Sequence, residues 1–256
     1  MKRYFRFFIL LGFLLIFTGQ SKAAFKWQVG EKLTFKVRWS FVRLGTLQMH
    51  VVDSVRIKGR LLYRVKLRMD SNPVLIFVHL HNRYECLIDS LFRPVVYMVN
   101  EKNGETRDVM IYQFDYDNNK VYWDILDAND TTKVLQHKVL KLDHYMYDGI
   151  SLTFFARGNA KLGASYRVYS FIDDRNGPVD MHFSDELRPL YFEPAKKKFS
   201  TFEVYGMFHL KGIAGVTGKY RGWFTNDERR VPLKALMKVF VGNVVVELEK
   251  WEKWAP

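Results

Sequence analysis

The chain has 256 residues, 48% of them hydrophobic and 16% aromatic, with a single cysteine and a formal net charge of +13. One cysteine excludes an internal disulfide framework, so stability must come from a packed core, and the length is ample for one. The basic balance would suggest nucleic acid in a cytosolic protein, but the N-terminus argues against that setting.

Lys2, Arg3 and Arg6 precede an apolar run from Phe7 to Phe17, interrupted only by Gly12, and Ser21 and Ala23 follow in a small-x-small pattern. This is the layout of a cleaved export leader, residues 1–23, with the cut expected between Ala23 and Ala24. The alternative, a membrane anchor, needs about 20 apolar residues, and this run is much shorter. No Cys follows it to carry a lipid, and no later segment is long and apolar enough to span a bilayer. Residues 24–256 are therefore expected to form one soluble periplasmic domain. Lys2, Arg3, Arg6 and Lys22 leave with the leader, which brings the net charge from +13 to +9. Anionic lipid, lipopolysaccharide phosphates and peptidoglycan fragments are the acidic partners in such a compartment. A basic surface that is merely solvated is the plain alternative.

After the leader the chain reads as strands. Leu33, Phe35, Val37 and Trp39 alternate with charged and polar residues, and so do Tyr63, Val65, Leu67 and Met69. Period two with one apolar face is the pattern of a half-buried strand. Cys86 shares the parity of Tyr84 and Ile88 and is expected inside. The run from Arg107 to Phe114 is apolar on both faces over its middle. Lys58-Gly59, Asn103-Gly104, Asp117-Asn118-Asn119, Asn129-Asp130 and Asn176-Gly177-Pro178 are turn signals, and the Asn-Gly pair predicts a hairpin. Asp148 is a suitable N-cap for a short helix from Ile150 to Arg157, with Gly158 as its stop. Asp227-Glu228-Arg229-Arg230 reads as a charged hairpin tip, after which Pro232 opens the next strand. The sum is an all-β fold: a long antiparallel sheet curled into an open or spiral barrel with one short helix.

Residues with chemical potential are scattered. His79 and His81 share a strand face, but zinc needs at least three convergent ligands and nothing marks the third. Gly149-Ile150-Ser151-Leu152-Thr153 lacks the last glycine of a nucleophile elbow and does not follow a parallel strand. Asp173-Asp174 and Asp185-Glu186 are adjacent in sequence, so in an extended chain they point apart. Lys196-Lys197-Lys198 reads as a solvated basic loop. No catalytic residue, metal or cofactor is assigned. Arg157 has two readings: a bidentate contact to a ligand carboxylate or phosphate, or a structural role, either pairing with Asp148 or capping the helix C-terminus.

Four stretches occur together in order: Val29-Gly30-Glu31-Lys32-Leu33-Thr34-Phe35 with Trp39 and Gly45-Thr46; Tyr84 with Ile88-Asp89-Ser90-Leu91-Phe92-Arg93-Pro94; Asp148-Gly149-Ile150-Ser151 through Arg157; and Gly222-Trp223-Phe224-Thr225-Asn226-Asp227-Glu228-Arg229-Arg230-Val231-Pro232 with Gly242. This set resembles the DUF3108 family of exported bacterial proteins. Ile150 stands where the family more often has Leu. The resemblance implies a long curled antiparallel sheet around a helix, and by analogy of shape a carrier of lipids or lipoproteins. The leading expectation is a non-enzymatic binder of a lipid, lipopeptide or cell-wall fragment on the concave apolar face, with Trp39, Arg157 and Trp223 as ligand contacts. An envelope scaffold that binds another protein through a sheet edge, and a hydrolase with a dispersed site, are the rivals.

Overall fold

The structure, a computed structural model, describes residues 24–75, 79–172, 175–210, 218–239 and 242–256. The expected leader at 1–23 and the Asp173-Asp174 pair lie outside these residues. From β1 (Lys32–Trp39) the sheet grows in sequence through β2 (Val42–Ile57), β3 (Arg60–Ser71), β4 (His81–Asp89), β5 (Pro94–Asn103), β6 (Thr106–Asp115), β7 (Lys120–Leu126) and β8 (Val134–Lys141). On the other edge of β1 lie β16 (Asn243–Glu252), β15 (Pro232–Lys238), β14 (Gly218–Thr225), β13 (Lys197–Phe208), β11 (Arg175–Phe183) and β10 (Ser165–Ile172). The short β9 (Met146–Tyr147) pairs in parallel with β10, and β12 (Arg188–Phe192) pairs with β13. The terminal strands of this order, β8 and β9, do not pair with each other, so the curled sheet is open, as its pattern predicts.

Turn chemistry follows the sequence at most joints. Lys58 and Gly59 both have positive φ, 49° and 79°, as a two-residue hairpin turn matched to strand twist requires. The β5–β6 hairpin forms one residue later than a central Asn-Gly pair would place it: Asn103 pairs with Thr106, and Gly104 holds φ at 60°. The expected turn at Asn176-Gly177-Pro178 is not one. These residues belong to β11 and pair, in that order, with Phe171, Ser170 and Tyr169 of β10. Pro178 is tolerated there because it sits at the end of the ladder to β13, which starts at Val179; its carbonyl still accepts from His209 N–H at 3.1 Å, and only a terminal donor is lost.

The concave face is filled. Helix α1 (Gly149–Gly158) lies inside the curl, and Asp148 caps it by accepting from the N–H groups of Ile150 at 2.7 Å and Ser151 at 3.2 Å. Ile150 and Phe154 face the half of the core built mainly on β1 to β7 with β15 and β16. Leu152 and Ala156 face the half built on β10, β11, β13 and β14. A helix apolar on both sides is a buried helix, and its two faces bind the two halves of the sheet together. Trp27 stacks between Tyr63 at 4.1 Å and Phe154 at 4.4 Å. Phe171 of β10 reaches across to Tyr97, Tyr112 and Phe114 of β5 and β6. Ring contacts thus join sheet regions that no backbone ladder connects. Cys86 is fully buried, as its parity predicts.

Candidate functional site

Arg157 sits at the end of α1 and is 1% exposed. Its guanidinium stacks on Phe154 and Phe25, with carbon-to-centroid distances of 4.7 and 5.2 Å. Nη2 donates to Glu31 Oε1 at 3.0 Å and to the Arg229 carbonyl at 2.8 Å, and Nε donates to the Arg230 carbonyl at 3.2 Å. Nη1 lies 2.8 Å from Glu31 Oε2 as an ion pair outside hydrogen-bond angles. Arg229 shares the same carboxylate at 3.1 Å. Both sequence readings of Arg157 therefore need revision. The acidic partner is Glu31 rather than Asp148, and the guanidinium is enclosed by protein groups. The reason is topological: the expected charged tip at Asp227–Arg230 folds over the end of α1 instead of pointing into water.

The other two expected contacts lie elsewhere. Trp39 ends β1 and is 42% exposed. Trp223 lies across from Glu203 and Lys234 on the outer face of β14, since its neighbours Gly222 and Phe224 turn inward. Trp39, Arg157 and Trp223 thus occupy three separate surroundings. Asp148 instead meets Cys86 Sγ at 3.2 Å and Ser151 Oγ at 2.6 Å, all three buried. Burial pushes the Asp148 carboxyl above its usual range despite these bonds, and burial together with Asp148 pushes the Cys86 thiol far up. This arrangement keeps protons on rather than presenting a nucleophile. His81 pairs with Asp70, and among the described residues no group of three His, Cys, Asp or Glu side chains is placed to hold a metal.

What the register does assemble is a groove on the outer face. One row across five ladders reads Gln48, Arg68, Arg83, Asn100, Val109, Leu126. A second, two residues along, reads His50, Lys66, Glu85, Met98, Ile111. The intervening row of Leu67, Tyr84, Val99 and Met110 points into the core, so these two rows share the outer surface. They line a groove of about 580 Å³, and Thr131 from the β7–β8 loop closes one side. Val109 and Leu126 are buried although they face outward. With Met98 and Ile111 they make an apolar floor, and Lys66, Arg68 and Arg83 make a cationic wall beside His50.

The wall's acids are outnumbered. Asp70 is shared by Arg83 Nη2 at 3.0 Å, His81 Nδ1 at 3.0 Å and Arg68 Nε. Burial raises its carboxyl, but those three donors more than offset this and hold it below the usual range. Glu85 is shared by Lys66 and Arg64, both at 3.2 Å. Lys66, Arg68 and Arg83 remain 54, 58 and 41% exposed, so each keeps N–H groups for a second anion. The sequence carried one trace of this groove: the stretch of β6 that is apolar on both faces. One of its faces is core, and the other is the groove floor.

The profile of a family described as a protein of unknown function, DUF3108, matches residues 34–249. No curated protein matches the chain. Among solved structures, a β-barrel-like protein of the domain of unknown function DUF1849 from Brucella abortus is similar at a TM-score of 0.59 and 9% identity, over 89% of this chain and 99% of that one. That likeness concerns the fold. A Bacteroides fragilis protein with a YmcC-like fold gives a TM-score of 0.35 at 8% identity over 91% of this chain and 100% of its own. A hypothetical protein of Chlamydia trachomatis gives 0.36 at 10% identity over 90 and 89%.

Proposed function

The chain belongs to the DUF3108 family, and from that premise we propose that it is a non-enzymatic, exported binding protein whose ligand is an anionic amphiphile: a lipid, a lipopeptide or an acylated cell-wall fragment. The observation that carries this reading is the groove, where an apolar floor of Met98, Val109, Ile111 and Leu126 adjoins the cations Lys66, Arg68 and Arg83. Its volume is typical of small-molecule sites. An acyl chain would lie along the floor, and a phosphate or carboxylate would take the guanidinium N–H groups of Arg68 and Arg83 not held by Asp70 or by the Asn82 and Met69 carbonyls. This reading puts the ligand on the outer surface, since α1 and the aromatic cluster occupy the concave face. The leader-like N-terminus and the basic balance support a periplasmic setting.

The test is native mass spectrometry of the full-length gene product purified gently from a periplasmic extract, beside a denatured sample. An excess mass released on denaturation and identified as an anionic acyl compound is expected. Replacing Arg68 and Arg83 together by alanine should weaken rebinding of that compound about tenfold or more, since each hydrogen bond to a charged group contributes roughly 1.5–3 kcal/mol. A bare mass in repeated preparations would sink the reading. It would favour a scaffold that binds another protein along β8, which is paired on one side only and exposes Val134, Leu135 and Val139.

A further inference from the structure

We propose, on the footing of the groove reading above, that a second hollow beside the groove holds the headgroup of the same ligand, and that this headgroup is a polyol: a sugar or cyclitol carried on the ligand's anionic group. The hollow, of about 470 Å³, shares Gln48 and Arg68 with the groove and extends it along β2, β3 and β4. Thr46, Asp70 and His81 pair across these strands as the next outward row, two residues along from Gln48, Arg68 and Arg83. Such rows lie about 7 Å apart, so one ligand can touch both. Gly45 keeps the new row tight. A Cβ there would lie 2.3 Å from the Asp70 carbonyl, so any other residue would part β2 from β3 at this point.

The new row offers donors and acceptors together. A carboxylate has about four acceptor positions. On Asp70, Arg83 and His81 take two and Arg68 takes one, which leaves one open beside Thr46. His81 Nδ1 lies 3.0 Å from that carboxylate and so carries the proton, which makes Nε2 of the neutral ring an acceptor. The His81 side chain is 52% exposed, so the ring is open to a ligand. Thr46 Oγ1 accepts from Arg43 Nη2 at 3.3 Å and keeps its own hydrogen to donate. Arg68 holds Asp70 through Nε and keeps its Nη groups.

Charge separates the two hollows. In the groove the cations outnumber their acids, as described above. In the second hollow the charges cancel: Glu249 holds Arg43 through two bonds of 3.0 and 2.9 Å, and Asp70 faces Arg68. A second phosphate there would meet the Asp70 carboxylate, and like charges set together are costly. An acyl chain there would displace water from Asp70, Thr46 and His81 without replacing its hydrogen bonds. A hydroxyl both donates and accepts, so a ring of hydroxyls meets the acceptors on Asp70 and His81 and the donors on Thr46 and Arg68 alike.

Polarity along the register sets the ligand's direction. Leu126 and Val109 end the groove row on β7 and β6, Asn100 and Arg83 follow on β5 and β4, and Arg68 and Gln48 lead into the second hollow. The matching ligand has an acyl chain over β6 and β7, an anion at β3 and β4, and a polyol over β2 and β3. Phosphatidyl polyols and lipid-linked sugar phosphates carry their groups in this order.

The experiment is isothermal titration calorimetry of the full chain with two short-chain lipids of equal charge, each kept below its micellar concentration. Dioctanoyl phosphatidylinositol carries a cyclitol, and dioctanoyl phosphatidylmethanol carries only a methyl ester. The first is expected to bind about tenfold more tightly, the gain from one or two hydrogen bonds to hydroxyls. Thr46→Val with His81→Leu should bring the two affinities together, because it removes a donor and an acceptor that only the polyol would meet. The double alanine variant of Arg68 and Arg83 should instead weaken both lipids. Equal binding of the two lipids by the native chain would overturn the polyol headgroup and leave the groove reading standing. So would a tenfold preference that survives in the Thr46/His81 variant. Binding of neither lipid would overturn the groove reading and the headgroup site with it.

Discussion

Glu31→Ala should lower the free energy of unfolding by about 3–5 kcal/mol, the usual cost of removing one partner from a buried ion pair. Glu31 and Arg157 are 2 and 1% exposed, and Arg229, at 14%, is partly buried beside them. A guanidinium cannot shed its proton to escape burial, so loss of the carboxylate leaves a full charge facing only carbonyl groups and ring faces. The pair also fastens three remote segments: the entry to β1, the end of α1 and the β14–β15 turn. Its loss should therefore loosen the helix plug as well as the charge. The companion variant separates these effects. Glu31→Leu with Arg157→Met removes both charges and should recover most of the loss, since apolar isosteres often replace a buried pair at little cost. Urea unfolding of the three proteins is the measurement. A cost under about 1 kcal/mol for Glu31→Ala would mean that water reaches Arg157, and would revive it as an anion-binding residue.

Local features of this fold were legible, and non-local ones were not. Alternation in β1 and β3 gave the inward faces of Leu33, Phe35 and Val65. Lys58-Gly59 gave a hairpin and Asp148 gave a cap, because each depends on a few adjacent residues. Arg157 and Glu31 are 126 positions apart, and no spacing rule connects them. Pro178 failed as a turn marker because what decides its tolerance is where the neighbouring strand begins. The groove was invisible for the same reason. Lys66, Arg68, Arg83, Met98 and Ile111 look like ordinary outward residues of four different strands, and only the register across the ladders sets them side by side. Trp39 and Trp223 attract attention as isolated tryptophans, yet a large side chain carries no information about which surface it will join. The sequence property that did point outward from the core was doubled apolarity in β6, where a strand buried on one face carries apolar residues on the other.

The buried carboxyl of Asp148 yields the second large effect, and its sign can be worked out. Asp148→Ala removes the acceptor for the N–H groups of Ile150 and Ser151, strands the Cys86 thiol, and leaves the Ser151 hydroxyl only its 3.3 Å bond to the main-chain carbonyl of residue 148. Loss of a helix cap and of a buried hydrogen-bond partner together should cost about 2–4 kcal/mol. Asp148→Asn should cost much less, near or below about 1 kcal/mol, because asparagine caps as well as aspartate and its amide can donate toward Ser151 and Cys86. The two variants differ again in pH dependence. Burial raises the folded-state pKa of Asp148 above its ordinary value of 3.8. Below 3.8 folded and unfolded chains both hold this proton, and the group adds no pH dependence. As pH rises from 3.8 through the raised folded value, the unfolded chain releases the proton first, so the group's contribution to native stability falls and then levels off. Asparagine has no such proton. The stability of Asp148→Asn relative to the native sequence should therefore improve between pH 4 and pH 7. Unfolding curves at those two pH values are the check. A difference that stays constant would show that Asp148 is ionised in the folded protein across the whole range, with its charge sustained by the cap and the Ser151 hydroxyl alone.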